Sequence, residues 1–494
     1  MHPPFDLREA AAPPGGGHAM TTELLSHAPA DPRDLVGRFA AADSAAVAAA
    51  ADRARAALPA WRDAGLAARS ALLERFATLA ARRADELARL IAREVGKALW
   101  DARAEAALLA PKVGVTLDEG MRVLEAVSAQ QPAPGARASW HQRGVLAVLG
   151  PFNFPAHLPN GHIVPALATG NTVVFKPSEQ APAVGAWMAA LWREAGLPEG
   201  VLEVVQGGAT TGRALVAADV DGVLFTGSWA TGRALREAVL DTPQKLLALE
   251  LGGCNAIAVL GDADLDLAVS ETALSIAVST GQRCSCASRV FVDRRHVDAF
   301  SERLARVLSG LRTGDPHDPA VFMGPLVSHA AWEAVVARRA LASRAGGERI
   351  LEVDPGRPPP WIGAGLVRFG STRQRHAVQR EEIFGPEAAI YAVDDLEHAI
   401  AAINDSDYGL VASLFTRERR HYEHAVGRVA TGLLNWNRGT TGASGRLPFG
   451  GEKRSGNARP AGVLATLYCT RPQAHLESEA AFDPASLPPG MPRP

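Results

Sequence analysis

Between residues 43 and 127 apolar side chains recur every three or four positions, as in ALLERFATLAARRADELARLIAREVGKAL, the period of helices with one buried face. The stretch predicts a succession of amphipathic helices. The pattern lapses over a polar, proline-containing segment at 128–139 and changes character at Gly144. Short runs rich in Val, Leu and Phe then take over: GVLAVLG (144–150), NTVVFKPS (171–178), VLEVVQG (201–207), GVLFTGS (222–228) and KLLALELGG (245–253). They start roughly 20 to 30 residues apart with helical spacing between them, the βαβ rhythm of an open parallel sheet. Ligands of such a sheet collect beyond the carboxyl ends of its strands.

A second α/β stretch runs from Asn255 to about Gly450 and includes a long helix over 265–278. VDPGRPPPWIGAG (353–365) has the composition of a surface loop, and ATLYCTRPQAHLESEA predicts one more strand before a Pro-rich tail. The first twenty residues carry acids and a Pro/Gly cluster but no apolar signal-peptide core. They predict a disordered lead, with Met20 an alternative start. APADPRDLVGRFAAAD (28–43) then enters the helices without a strand hairpin.

Composition narrows the function. A chain of 494 residues suggests about three domains at roughly 150 each, and 47% hydrophobic against 21% charged residues supplies a large core. With 51 Lys+Arg and 53 Asp+Glu the formal charge is −2, so no global field favours nucleic acid or an anionic membrane as partner. No run of 18 apolar residues predicts a spanning helix. Four cysteines (Cys254, Cys284, Cys286, Cys469) are too few for a disulfide framework and read as thiols in a reducing compartment, the cytoplasm.

Several strand ends carry reactive groups. Cys284, in GQRCSC (281–286), follows a helical run at a glycine turn, where backbone amides and cations favour a thiolate; a lone cysteine is equally read as a buried structural thiol. Without a second Cys/His pair at ligand spacing, no metal site is expected. Glu250, in LELGG (249–253), ends a predicted strand as a candidate general base or a partly solvated acid. Asn153, in GPFNFP (150–155), sits in a proline-stiffened loop from which its amide could serve an oxyanion or its own turn. FTGSWATG (225–232) opens a helix whose amides suit a pyrophosphate, without a G-x-G-x-x-G fingerprint.

Together PFNFP, KPSE (176–179), FTGSxxxG, LELGG, GQRC, EEIFGP (381–386), NWN (435–437) and PFGG (448–451) resemble, in order and spacing, the aldehyde dehydrogenase superfamily over roughly residues 30–480. The resemblance implies two Rossmann-like open parallel sheets and a β oligomerisation arm. Its expected bounds are a lead at 1–19, a cofactor domain at 20–125 and 144–252, a catalytic domain at 253–450, an arm and C-terminal segment at 126–143 and 451–480, and a tail at 481–494. It also implies a homodimer or higher even oligomer.

By the same resemblance Cys284 is the nucleophile and Cys286 is not, Asn153 holds the oxyanion, and Glu250 activates water to release a free acid rather than a coenzyme A ester. Lys176 and Glu179 are the adenosine-ribose contacts, Gly227, Ser228, Trp229, Ala230, Thr231 and Gly232 the pyrophosphate turn, and Glu382 and Phe384 the nicotinamide-ribose contacts. Glu179 would repel a 2′-phosphate, which favours NAD over NADP. Trp229 is expected to crowd the cofactor, and Cys254 to alter the wall near the nicotinamide.

NFPAHLPNGHIVPALATGNTVVFKPSE, TGQRCSCASR and NWNRGTTGASGRLPFGG are most similar to the family's N-succinylglutamate 5-semialdehyde dehydrogenase branch of arginine catabolism. NRGTTGA also resembles pyrroline-5-carboxylate dehydrogenases, which makes glutamate 5-semialdehyde the alternative substrate. Arg283 beside the nucleophile, and Arg438 and Arg446 around TTGASG (440–445), suit an anionic aldehyde, or else make surface ion pairs. A catalytically silent protein on the same fold is the rival of another class.

Overall fold

The computed structural model describes residues 23–129, 135–373, 377–457, 461–479, 481, 483 and 486–493. The lead assigned to 1–19 and Met20 lie outside them. The described chain begins with a correction: β1 (Glu23–Ala28) and β2 (Asp31–Ala40) form an antiparallel hairpin. Register shifts on either side of His27 break the two-residue alternation by which strands are read from sequence. The hairpin buries Ala28, Val36 and Phe39 against Ala183 and Ala186.

The predicted helices follow, at Ser44–Asp63, Gly65–Arg82, Ala84–Val95, Leu99–Ala106, Leu109–Gly114 and Met121–Ser128, with a π turn at Val115–Gly120. Asp43 caps the first, its carboxylate accepting from the Ala46 amide at 2.8 Å. Next, β3 (Ala136–Gln142) pairs antiparallel with Thr470–Leu476, making a two-stranded ribbon from distant parts of the chain.

Strands β4 (Val145–Leu149), β5 (Thr172–Lys176), β6 (Leu202–Val204), β7 (Gly222–Gly227) and β8 (Leu246–Leu251) form a parallel sheet in the order β6-β5-β4-β7-β8. Its central strands are buried throughout because helices cover both faces. A second sheet contains β9 (Asn255–Val259), β10 (Ala287–Asp293), β11 (Glu348–Glu352), β12 (Gly365–Phe369) and β13 (Glu387–Val393), followed by Val411–Phe415 and Leu433–Trp436. The order is β11-β12-β13-β10-β9, then 411–415, then 433–436, and only β11 is antiparallel to its neighbour.

The free edge of β8 is closed by a late segment. Leu251 donates its amide to the Ser455 carbonyl (2.9 Å), Leu249 donates to Asn457 Oδ1 (2.7 Å), and Glu250 bridges Gly456. The 353–365 segment is loop, as composition predicts, but only its first half is at the surface: Trp361, Ile362 and Ala364 are buried. Among the described residues no helix is long and apolar enough to cross a membrane.

Candidate active site

The carboxyl ends of β4, β5, β7 and β8 open onto a cavity of about 1120 Å³, which also takes in Cys284, Glu382, Phe384 and the backbone of 442–445. That volume exceeds the upper range for a single small ligand, roughly 1,000 Å³, and suits two reactants side by side.

Cys284 stands on a strained approach. Ser279 and Thr280 have φ of 52° and 55°, and Gly281 has φ of 71°. A Cβ on Gly281 would lie 2.1 Å from the Gly385 carbonyl carbon, so only glycine fits. The turn is held from the other sheet's helices. Asp101, 1% exposed on Leu99–Ala106, accepts from Ser279 Oγ (2.5 Å) and Arg283 Nη2 (2.6 Å), and Thr280 Oγ1 donates to the Gly324 carbonyl (2.9 Å). Asn255 Nδ2 donates to the Cys284 and Cys286 carbonyls at 2.7 and 2.8 Å. The Cys284 sulfur is thereby fixed at the cavity wall.

One turn further along that helix, Glu105 does the same for the loop that carries Asn153. Its carboxylate accepts from the Ala156 and His157 amides, both at 3.1 Å, and from Lys97 Nζ at 2.5 Å. The Phe154 ring lies beneath two cations, Lys97 Nζ at 3.9 Å and Arg283 Cζ at 4.8 Å from its centroid. Asn153, 7% exposed, is held between these anchors and lines the cavity; its side-chain amide makes no hydrogen bond to any described residue.

Glu250 is 4% exposed and lies beside Thr226 across β7 and β8. Burial pushes the Cys284 thiol well above its ordinary range; Glu382, Glu250 and Cys286 push further and Arg283 opposes them. The resting sulfur is therefore protonated, with two carboxylates in electrostatic reach. Burial raises Glu382 to about 8 against one stabilising bond, from the Gly253 amide at 3.0 Å. Gly252 makes room for it: a Cβ there would be 2.1 Å from Glu382 Oε2. His162 also faces the cavity, bonded through Nδ1 to Tyr468 Oη (2.7 Å), and burial with nearby Lys112 lowers it to about 3. It is a neutral imidazole at physiological pH.

At the far end Lys176 Nζ donates to the Gly207 (2.5 Å) and Pro177 (2.9 Å) carbonyls and lies 3.6 Å from the exposed Glu179 carboxylate. Ser228 caps the helix Trp229–Ala238, its hydroxyl accepting from the Thr231 amide (3.2 Å), and Ser228, Ala230 and Thr231 line the cavity. An ammonium, a solvent-facing carboxylate and a helix N-terminus fit a dinucleotide's ribose and pyrophosphate. Phe384, at φ 55°, meets Phe152 edge-on at 5.8 Å near Glu382.

Four expectations are corrected. Trp229 does not crowd this end: it lies under Arg454, 5.4 Å from ring centroid to guanidinium, outside the lining. Gly232 is buried where a Cβ would be 2.7 Å from Leu251 Cδ2, so it serves helix–strand packing rather than the cavity wall. Cys254 points into the second sheet's core, its Sγ 3.1 Å from the Gln379 carbonyl, and does not form the wall. Arg438 is exposed away from the cavity and Arg446 pairs with Glu119 at 2.6 Å. Hydrogen bonds from the Gly439 and Thr440 amides to Glu271 Oε2 (2.6 Å) and Ser275 Oγ (3.0 Å) tie down the start of the turn, and residues 442–445, not the two arginines, line the cavity.

Arg283 does line the cavity, paired with Asp101. Lys112 and His157 line it too and were not singled out from sequence, because a lysine on a helical period reads as solvated. Among the described residues no group of three or more His, Cys, Asp or Glu could hold a metal ion.

Comparison with known proteins matches the aldehyde dehydrogenase family model to residues 18–474. The chain is 43% identical over 458 residues to N-succinylglutamate 5-semialdehyde dehydrogenase of Serratia proteamaculans, covering 91% of this chain and 92% of that one. It is 41% identical over 459 residues to the protein of the same name from Escherichia coli (strain ATCC 8739), covering 91% and 92%. Among solved structures it is similar to 1-pyrroline-5-carboxylate dehydrogenase from Thermus with bound NAD, with a TM-score of 0.87 and 30% identity over 92% of this chain and 89% of that one. An Escherichia coli NADP-dependent enzyme gives 0.86 and 30% over 92% and 94%.

Proposed function

The chain belongs to the aldehyde dehydrogenase family and is an oxidoreductase that uses a nicotinamide cofactor, and on that premise we propose that it oxidises N-succinylglutamate 5-semialdehyde to N-succinylglutamate with NAD. The observation that carries the chemistry is the convergence of Cys284, Asn153 and Glu250 on one cavity. The substrate assignment is supported by the relatives' names and by the cations gathered at the end of the cavity away from Glu179.

Cys284 Sγ adds to the aldehyde carbon as its proton is released to solvent, leaving the Glu250 carboxylate ionised for the later step. The carbonyl oxygen becomes an oxyanion facing the unengaged Asn153 amide and the Cys284 backbone amide. The cofactor, held by Lys176, Glu179 and the Ser228–Thr231 turn, would when bound supply the hydride acceptor needed to take the thiohemiacetal to a thioester. Glu250 then takes a proton from water as its oxygen attacks the thioester carbon; the S–C bond breaks and the free acid leaves. The exposed Glu179 carboxylate accepts from ribose hydroxyls and repels a 2′-phosphate, which supports NAD over NADP. The two-stranded ribbon of β3 and Thr470–Leu476, none of whose residues lines the cavity, supports assembly into a dimer or higher even oligomer by strand addition.

NADH formation across N-succinylglutamate, glutamate, succinate and neutral aliphatic aldehydes tests the substrate. Highest kcat/KM for N-succinylglutamate 5-semialdehyde is expected; preference for glutamate 5-semialdehyde selects the alternative, and preference for neutral aldehydes refutes the anionic reading. Cys284→Ala should abolish oxidation, which a silent protein would not show. Glu250→Gln should give one NADH per site and then stall as acyl-enzyme; undiminished turnover, or turnover that requires coenzyme A, would overturn the hydrolytic step.

A further inference from the structure

Three cations lie within electrostatic reach of the His157 imidazole: Lys112 and Arg283, which line the cavity with it, and Lys97. Two of them have their own carboxylates. Lys97 is paired with Glu105 (2.5 Å) and Arg283 with Asp101 (2.6 Å). Lys112, on the helix Leu109–Gly114, has none among the described residues; its ammonium donates only to the Gly462 carbonyl at 3.1 Å. It is 8% exposed and lines the same cavity as Cys284.

A buried ammonium without a counter-ion is unfavourable unless something brings the missing charge. The site around it is otherwise prepared for an anion. His157 Nδ1 is buried with no hydrogen-bond partner, and the imidazole is pressed down to about 4 by burial and by the three cations, Lys112 foremost. A ring held neutral beside an unpaired ammonium offers a hydrogen bond without competing for the charge. Of the 442–445 segment that also lines the cavity, no residue carries a charge that could serve instead.

The geometry points to Lys112 as the counter-charge for a carboxylate of the substrate, seated between Lys112 and His157 while the aldehyde reaches Cys284. This rests on the anionic-substrate reading above and deepens it: the carboxylate is recognised by a lysine buried in the helical region rather than by arginines flanking the 440–445 loop.

The test compares wild type with Lys112→Met and Lys112→Arg on a carboxylate-bearing aldehyde, succinate semialdehyde or N-succinylglutamate 5-semialdehyde, and on an uncharged aliphatic aldehyde of similar length. Loss of a charge-assisted contact should raise KM for the carboxylate aldehyde by about 10- to 100-fold, with kcat moving less. The ratio of kcat/KM between charged and uncharged substrates should collapse, and Lys112→Arg should restore part of it. A second measurement needs no turnover: glutarate should slow alkylation of Cys284 by iodoacetamide in wild type and lose that protection in Lys112→Met, or in Lys112→Gln if the methionine variant fails to fold. An unchanged charged-to-uncharged ratio with intact glutarate protection would overturn the assignment of Lys112. Wild type showing no preference for carboxylate aldehydes would instead overturn the anionic-substrate reading itself.

Discussion

Replacing Asp101 by Asn keeps the side chain's shape and removes the charge that ties the Cys284 turn to the helix Leu99–Ala106. Asp101 is 1% exposed and accepts from both Ser279 Oγ and Arg283 Nη2. An amide can keep the hydroxyl bond but leaves Arg283 without its counter-ion. Breaking a fully buried pair costs about 3–5 kcal/mol, and a hydrogen bond to a charged group contributes about 1.5–3 kcal/mol. The Arg283 side chain is 15% exposed, at the cavity wall, so water recovers part of the loss and about 2–3 kcal/mol is expected. The residues so released, Ser279 and Thr280, sit in the left-handed region, where each stores about 1–3 kcal/mol that the surroundings must hold. The turn should therefore relax and displace Cys284, and a shift of about 1 Å costs on the order of 100-fold in rate. Urea unfolding, initial NADH rates and iodoacetamide labelling of Cys284 together measure this. A double-mutant cycle with Arg283→Met isolates the pair, with an expected coupling of about 1–3 kcal/mol. Strictly additive losses, or Asp101→Asn with unchanged midpoint, rate and labelling, would refute the reasoning.

Glu382 gives a pH signature. Held at about 8 against its ordinary 4.5, it keeps a proton in the fold between those values that the unfolded chain has released, so stability falls as pH rises through that interval. Glu382→Gln should flatten this slope. Because Glu382 becomes charged only above about 8, the variant and wild type should alkylate at Cys284 alike below that pH and diverge above it, the variant faster; equal rates throughout would contradict the assigned charge. Ending the chain after Cys469 removes the strand Thr470–Leu476 and leaves β3 unpaired. Size-exclusion with light scattering should show a smaller assembly, and an unchanged mass would count against strand addition.

Much of the site was legible because its residues sit where strands end. Asn153, Lys176 and Glu250 lie at or just beyond the ends of β4, β5 and β8, and short apolar runs mark those ends plainly. What escaped depends on contacts between distant segments. Lys112 has the spacing of a solvated helix face, and only the packing of Leu109–Gly114 against the helix His157–Ala168 turns it inward. Asp101 and Glu105 read as ordinary helix charges until the Cys284 turn and the Asn153 loop are placed against them. Arg438 and Arg446 show the converse: proximity in sequence to 440–445 does not set side-chain direction, and Arg438 is exposed while Arg446 pairs with Glu119. The hairpin at 23–40 was hidden by its bulges.

The closure of β8 by Ser455, Gly456 and Asn457 sets an order of assembly during synthesis. The Cys284 turn gains its Asn255 and Asp101 contacts once residue 286 has emerged, and its contacts with Gly324 and Gly385 before residue 386. The strand that carries Glu250 stays an open edge until residues some two hundred positions further on have emerged. A nascent chain thus completes its hold on Cys284 before it closes the edge of the strand that carries Glu250.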